Sequence, residues 1–198
     1  MNDKFLYQPV SPFILNQKFG QNNACISLDG AQKVINCDGN NPPDGYRSVY
    51  NENGHTGIDL RAFHGKEVYC AQRGRVVHID TQERSGLDVR IESEVNGKKY
   101  LHIYEHLLGY QPQKGDWVET GQLIGWADNT GYSSGDHLHF ELRDEDGNSL
   151  DPMLYMVPIF AKDMLAVNNT LLYLTEQVAK LADNVASYLR DIRTKKSL

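Results

Sequence analysis

The sequence lacks any apolar run close to the roughly 20 residues that a membrane-spanning helix requires. Its first residues, Met1 to Lys4, lead into a mixed stretch and not into the apolar segment of a secretory signal. We therefore expect neither membrane insertion nor a signal peptide. If the protein acts outside the cytoplasm, another component has to supply its route out of the cell.

An excess of positive charge is also missing. The chain has 20 Lys and Arg against 26 Asp and Glu, which gives a formal charge of -6. Nucleic-acid binding relies on neutralising phosphates with basic side chains, so this balance argues against a nucleic-acid partner. The one basic cluster, between Arg190 and Lys196, is typical of the solvated end of a helix.

Cysteine is scarce. The three cysteines, Cys25, Cys37 and Cys70, contain no C-x-x-C pair, which argues against a disulfide framework or a zinc knuckle. Cys25 and Cys37 can pair if the protein works outside the cell. The alternative is three free thiols, with Cys70 buried in a strand.

The remaining sequence features predict a mainly β protein with one hydrophobic core. Residues 1 to about 45 are rich in Asn, Gln, Gly and Pro, which favours loops and strand fragments. Between about 55 and 157, short alternating or β-branched runs separated by glycines predict an antiparallel β-sheet domain. These runs are Glu67 to Ala71, Arg75 to Ile79, Asp88 to Glu92, Tyr100 to His106, Leu123 to Trp126 and His137 to Leu142.

From Met164 the apolar residues recur at alternating intervals of three and four, which predicts a C-terminal helix over 160–196. β-branched residues on one side of this seam and leucines on the other resemble a parallel two-stranded coiled coil. The flanking positions offer no pattern of complementary charge. Self-association as a homo-oligomer and docking of the helix on its own β domain both stay open.

Two short segments carry residues suited to a metal. His55 and Asp59 are four apart, which in an extended chain places both on one face, and Gly57 between them would leave room for an ion. In the run from His137 to Leu142, alternation places His137, His139 and Glu141 on one face. Two adjacent imidazoles need partners if buried, and a metal would satisfy them.

A third segment, from Tyr100 to Leu107, is predicted as a strand with Leu101 and Ile103 facing inward. His102, Tyr104 and His106 then share the other face, and alternation does not choose between the two histidines. A catalytic zinc usually keeps three protein ligands and an open position for water. The additional imidazoles suit a hydrolase, which also has to move protons and stabilise an oxyanion.

In this order, the three segments resemble the lysostaphin/LytM-type zinc endopeptidases, which cut peptide cross-links in bacterial cell walls. The pattern H-x-x-x-D, then Y-x-H-L, then H-x-H matches His55 to Asp59, Tyr104 to Leu107 and His137 to His139. The similarity covers most of residues 12–157. Its further matches are Asn16 to Gly20, Gly115-Asp116, Gly121 to Gly125, Asn129 to Gly131 and Asp151-Pro152.

The resemblance implies one zinc ion per chain, with His55, Asp59 and His139 as its ligands. It implies that His106 and His137 are catalytic, orienting and deprotonating the attacking water and then stabilising the tetrahedral intermediate. It also implies a catalytic domain over 1–157 whose antiparallel sheet carries a groove.

The sequence departs from the family pattern at two acidic residues. Glu105 stands where the family often has a small residue and Asp136 where it often has proline, so both are expected near the site. Residues 21–50 are longer than the usual lead-in and are expected to form an extended loop that shapes the substrate groove, with Tyr50 as a wall or hydrogen-bond donor.

The function implied is hydrolysis of peptide cross-links or stem peptides of bacterial peptidoglycan, in the periplasm or outside the cell. A bacteriophage lysin or virion-associated enzyme is one context for it. The alternative is a catalytically silent module that binds the wall or activates an amidase, although every expected ligand position is filled. We expect structural roles for His64 and His78, and core positions for Trp117 and Trp126.

Overall fold

The computed structural model describes residues 4–20 and 55–195. The predictions for Cys25, Cys37, Tyr50 and the loop of residues 21–50 lie outside the described residues. No helix in the described part is long and apolar enough to cross a membrane.

Strands dominate the described residues, together with one short 3-10 helix, Pro152–Leu154, and one α-helix, α1, Ala161–Lys195. The predicted fold class, a mainly β antiparallel domain followed by a C-terminal helix, is confirmed. In chain order the strands are β1 Leu6–Gln8, β2 Leu15–Gln17, β3 Ile58–Arg61, β4 Glu67–Tyr69, β5 Gly74–Gln82, β6 Gly86–Val95, β7 Lys98–Tyr110, β8 Trp117–Val118, β9 Leu123–Ala127, β10 His137–Asp144, β11 Ser149–Leu150 and β12 Met156–Phe160.

One large sheet positions the candidate site. Its order is β2-β3-β10-β7-β6-β5-β8, with β11 paired to β10 and with β9 joining β4 to β7. All of these pairings are antiparallel, while β1 and β12 form a separate parallel pair. Strand β10 lies between β3 and β7, so residues from all three predicted site segments meet along its length.

The alternation predicted for β10 matches its packing. Leu138, Phe140 and Leu142 are fully buried in the hydrophobic core. Residues at odd positions point to the opposite face because side chains alternate along a strand. His137, His139 and Glu141 therefore share the face on which the candidate site is built.

The prediction for β7 allowed one inward face, but Ile103 on that face and His102 and Tyr104 on the opposite face are all buried. Tyr104 lies opposite Phe140 and His102 lies opposite Leu142, so both belong to the core side of the sheet. Leu101 lies on the other face, opposite Arg143. An alternating apolar pattern could not reveal this, because the polar-looking residues of β7 are the ones that pack in the core.

His102 is a core histidine. It is fully buried, its Nε2 lies 2.9 Å from Ser93 Oγ, and its Nδ1 has no hydrogen-bond partner among the described residues. Burial lowers the pKa of His102 to about 3, because the apolar surroundings disfavour the charged imidazolium. His102 therefore lies on the core side of β7, on the opposite face from the one that carries Glu141 and His139 on β10.

Acid should therefore destabilise the fold through His102. The unfolded imidazole titrates near 6.5 and the folded one near 3, so the unfolded state binds more protons between these values and stability falls as pH drops below 6.5. Between pH 7 and pH 5 this costs about 2 kcal/mol. Denaturant titrations at both pH values should show that the free energy of unfolding falls by about 2 kcal/mol less in His102→Leu than in wild type. An equal fall in the two proteins would contradict a buried neutral histidine.

Two further expectations concern buried side chains. Cys70 is a buried free thiol as expected, although it follows β4 and is not part of it, and burial raises its pKa to about 12. The prediction of a core position for Trp117 was wrong. Its side chain is 60% exposed, and the guanidinium of Arg73 lies 4.7 Å from the centre of the indole.

Among its described side chains, helix α1 contacts the β domain near its start and not beyond. A Cβ on Gly121 would lie 2.1 Å from the carbonyl oxygen of Ala161, so glycine permits the close approach of the first turn. Lys162 Nζ lies 3.7 Å from a carboxylate oxygen of Glu67. Every side chain from Ala166 to Asp183 is exposed, so this stretch of the helix does not dock on its own β domain.

Candidate metal centre

Three side chains place their ligand atoms together at the junction of β3 and β10. Asp59 on β3 lies directly opposite His139 on β10, and His55 precedes β3 by three residues. Asp59 Oδ1 is 2.9 Å from His139 Nδ1 and 3.1 Å from His55 Nε2. The two imidazole nitrogens are 3.0 Å apart, so the three atoms form a nearly equilateral triangle.

This triangle fits a tetrahedral zinc ion. Zinc bonds of about 2.1 Å separate neighbouring ligand atoms by about 3.3 Å, so small movements of the side chains would accommodate the ion. His55 and His139 are both buried, and Asp59 is largely so. Burial raises the pKa of Asp59, but the contacts of its carboxylate with His137, His139 and His55 outweigh burial, and the net result is a pKa well below the usual value.

Hydrogen bonds on the far side of each imidazole fix which nitrogen faces the triangle. The Nδ1–H of His55 donates to the backbone carbonyl of Lys18 over 3.0 Å, which leaves Nε2 as the lone-pair nitrogen. The Nε2–H of His139 donates to Glu141 Oε1 over 3.1 Å, which leaves Nδ1. Both remaining nitrogens are those of the triangle, as a metal site requires.

Glu141 is the residue whose role the sequence did not reveal, although alternation placed it on the correct face. It is buried, accepts a hydrogen bond from the hydroxyl of Thr56, and accepts the Nε–H of Arg143 over 2.8 Å. Burial raises the pKa of Glu141, but His139 and Arg143 outweigh burial and bring it to about 2. Glu141 is therefore a fixed carboxylate behind His139.

Gly57 is required for a different reason from the one expected. A Cβ at this position would lie 2.4 Å from the backbone carbonyl oxygen of Phe140, so the clash would be with β10 and not with a bound ion. The chain also bends at Thr56 and Gly57 before β3 begins. His55 and Asp59 thus converge through a bend packed against β10, where the prediction assumed an extended strand.

His106 reaches the site because the backbone leaves strand alternation. Its φ of 62° lies in the left-handed region, which non-glycine residues rarely adopt. Two hydrogen bonds hold it there, from its backbone N–H to the Ser85 carbonyl over 2.9 Å and from Nδ1–H to the Thr130 carbonyl over 2.7 Å. Its ring centre lies 4.7 Å from that of His137 and 6.0 Å from that of His139.

His137 forms the other wall beside the triangle. Its Nδ1–H donates to the Gly135 carbonyl over 2.8 Å, and its Nε2 lies 3.5 Å from Asp59 Oδ1. Burial lowers the pKa of His106 to about 3, helped by the neighbouring imidazoles. Burial opposes charge on His137 as well, but Asp59 outweighs it and the net pKa is raised.

The two acidic departures from the family pattern lie near these residues. Glu105 is the cross-strand partner of His139, and burial raises its pKa to about 7. Asp136 is exposed and accepts the backbone N–H of His64 over 3.1 Å. His64 itself is an exposed side chain paired with Asp128. His64 and His78 lie outside the His55–Asp59–His139 group.

Comparison with known proteins agrees with this arrangement. Lysostaphin of Staphylococcus simulans is 34% identical over 87 residues, covering 44% of this chain and 17% of that protein. The peptidoglycan DD-endopeptidase ShyA of Vibrio cholerae is 38% identical over 88 residues, covering 44% of this chain and 20% of that protein. The chain thus spans about a fifth of the length of these curated relatives.

Among solved structures, the catalytic domain of the prophage-encoded M23 protein EnpA from Enterococcus faecalis superposes with a TM-score of 0.55 at 23% identity. The superposition covers 76% of this chain and 97% of that domain, and it shows a shared fold. The sequence profile described as Peptidase family M23 matches residues 53–152, which is 100 of the 198 residues and includes all five site residues. The chain belongs to Peptidase family M23.

Proposed function

We propose that this chain is a zinc metalloendopeptidase that hydrolyses peptide cross-links or stem peptides of bacterial peptidoglycan. The observation that carries the proposal is the triangle of His55, Asp59 and His139 ligand atoms beside the imidazoles of His106 and His137. Two curated relatives support the substrate class, since one is lysostaphin and the other is named a peptidoglycan DD-endopeptidase. The peptidase domain is assigned to residues 1–157.

The triangle would hold one zinc ion per chain. Bound there, zinc would supply a Lewis acid for the scissile carbonyl and lower the pKa of water towards neutrality. Glu141 and the carbonyl of Lys18 keep the two ligand imidazoles in the required tautomers. Asp59 contributes the negative charge that favours a divalent cation.

The two remaining imidazoles handle protons. Each donates its Nδ1–H to a backbone carbonyl, of Thr130 for His106 and of Gly135 for His137, which leaves Nε2 to accept a proton. One takes the proton of the attacking water on its Nε2, and the imidazolium so formed donates a hydrogen bond to the oxyanion and then passes this proton to the leaving amine. The low pKa of His106 keeps its Nε2 unprotonated at neutral pH.

A silent wall-binding or amidase-activating module is the competing function. It requires neither an intact ligand triangle nor two oriented imidazoles, and this chain has both. The proposed site of action is the cell wall, in the periplasm or outside the cell. A phage lysin or a virion-associated enzyme stays a prediction about context.

The test is release of new amino termini from purified bacterial walls of different cross-link chemistry. The zinc-loaded full chain should release them from at least one wall type, and chelation should stop the release. Mass spectrometry of the fragments would then identify the bond that is cut. A chain that holds one zinc ion yet releases nothing from any wall type would contradict the peptidase and favour the silent module.

A further inference from the structure

Helix α1 carries an apolar seam that the other described residues leave exposed. Its residues recur at intervals of three and four, and each described member beyond the first turn is between 50% and 66% exposed. The sequence continues the same spacing with Tyr188 and Ile192. The exposed members of the seam are Val167, Leu171, Leu174, Val178, Leu181 and Val185.

A helix in this situation requires a partner. Isolated helices are marginal in water, and most helical stability in proteins comes from packing of an apolar face. Helix α1 has 35 residues and is therefore about 52 Å long, but among its described side chains those that contact the β domain lie near its start. A continuous exposed apolar stripe of this kind marks an interaction surface.

The composition of the seam favours a second copy of the same helix. Val178 and Val185, which are β-branched, occupy one class of seam position and Leu174 and Leu181 the other, whereas Val167 and Leu171 nearer the start of the helix reverse this order. This division between β-branched residues and leucines favours parallel two-stranded coiled coils over larger bundles. A spacing of seven residues per two turns also gives the left-handed supercoil in which two such helices stay in contact.

Charge is compatible with pairing between identical helices. The positions that flank the seam, and that would face the flanks of a partner, include Thr170, Thr175, Gln177 and Ala182. All four are uncharged, so a copy of this helix meets no like charge at these positions, and Asp191 is a charged flanking residue further along the sequence. The charged residues Glu176, Lys180 and Asp183 lie away from the seam, on the side that stays in water.

The seam supplies part of the area that such a dimer needs. Full burial of a Val or Leu side chain removes about 60–120 Å² of apolar surface from water. The six seam residues are 50–66% exposed, so they would bury roughly 200–450 Å² per helix. Stable specific interfaces bury about 800 Å² per partner, and the exposed side chains that flank the seam would contribute the remainder.

We propose that the chain forms a parallel dimer through the seam of α1. In a parallel dimer, both β domains lie at the same end of the coiled coil. If the proposed function holds, two catalytic sites then act on one polymeric wall, and binding by the first raises the effective concentration of the second. The dimer itself depends only on the seam and not on catalysis.

Sedimentation equilibrium of the full chain at tens of micromolar tests the dimer. Wild type should have twice the chain mass of 22.4 kDa. The seam variant Leu174→Lys/Leu181→Lys should fall to the chain mass and lose helical circular dichroism. The matched control Leu172→Lys/Tyr173→Lys adds the same charge at residues off the seam that are 62% and 61% exposed, and should stay dimeric.

Either of two results would overturn the dimer: wild type at 22.4 kDa, or a seam variant that keeps twice this mass. Mass and wall hydrolysis are measured separately, so failure of one proposal is distinguishable from failure of the other. A dimeric chain that binds zinc and cuts no wall contradicts the peptidase alone. A monomeric chain that cuts walls contradicts the dimer alone.

Discussion

Replacing His139 with alanine should abolish zinc binding and wall hydrolysis together, whereas His106→Ala should keep zinc and lose turnover. His139 Nδ1 is one corner of the ligand triangle, 2.9 Å from Asp59 Oδ1, so its removal leaves two ligand atoms. The ring of His106 lies outside the triangle and is held by the Thr130 carbonyl. Loss of a positioned acid or base typically costs 10²- to 10⁴-fold in rate, and we expect a fall in kcat of about that size.

Zinc per chain after dialysis and kcat on a wall substrate separate the two roles. Wild type and His106→Ala should retain about one zinc ion, and His139→Ala close to none. His64→Ala is the matched control, because His64 is exposed and paired with Asp128 away from the triangle. His64→Ala should retain both the zinc content and the kcat of wild type. Equal zinc loss in His106→Ala and His139→Ala would contradict the division of roles.

The sequence predicts correctly which residues of strand β10 face the site. Alternation places His137, His139 and Glu141 on one face of β10, and the opposite face fills the core with Leu138 and Phe140. This succeeds because the apolar residues of β10 all lie on its core face and the polar residues from His137 to Glu141 on the other. The same rule applied to β7 failed, since its core face carries His102 and Tyr104, which an apolar pattern does not recognise as core residues.

Strand alternation does not predict residues whose positions are determined by tertiary contacts. His106 leaves the pattern at a left-handed backbone held by Ser85 and Thr130, which are 21 and 24 positions away in the chain. Family resemblance pointed to His106, but no local property of the residue does. Gly57 is similar, because the clash it avoids is with Phe140 on another strand.

Glu141 illustrates a further limit, because its role depends on what surrounds it and not on its own position. It connects three groups behind the ligand triangle: the Nε2–H of His139, the hydroxyl of Thr56 and the guanidinium of Arg143. Carboxylates that accept the outer N–H of a ligand histidine fix its tautomer and raise its basicity. Glu141 should therefore control how well His139 binds zinc without touching the ion.

Replacing Glu141 with alanine should weaken zinc binding by about 10- to 100-fold, the usual effect of losing such a partner. Glu141→Gln should weaken zinc binding less than Glu141→Ala, because its amide oxygen still accepts the Nε2–H of His139. Competition with a chelator measures both affinities, and circular dichroism checks the fold. Glu92→Ala is the control, since it removes an exposed carboxylate paired with Lys99 on the same sheet. If folded Glu141→Ala bound zinc as tightly as this control, the tautomer of His139 would have to be fixed without the carboxylate, and only the triangle of His55, Asp59 and His139 would determine affinity.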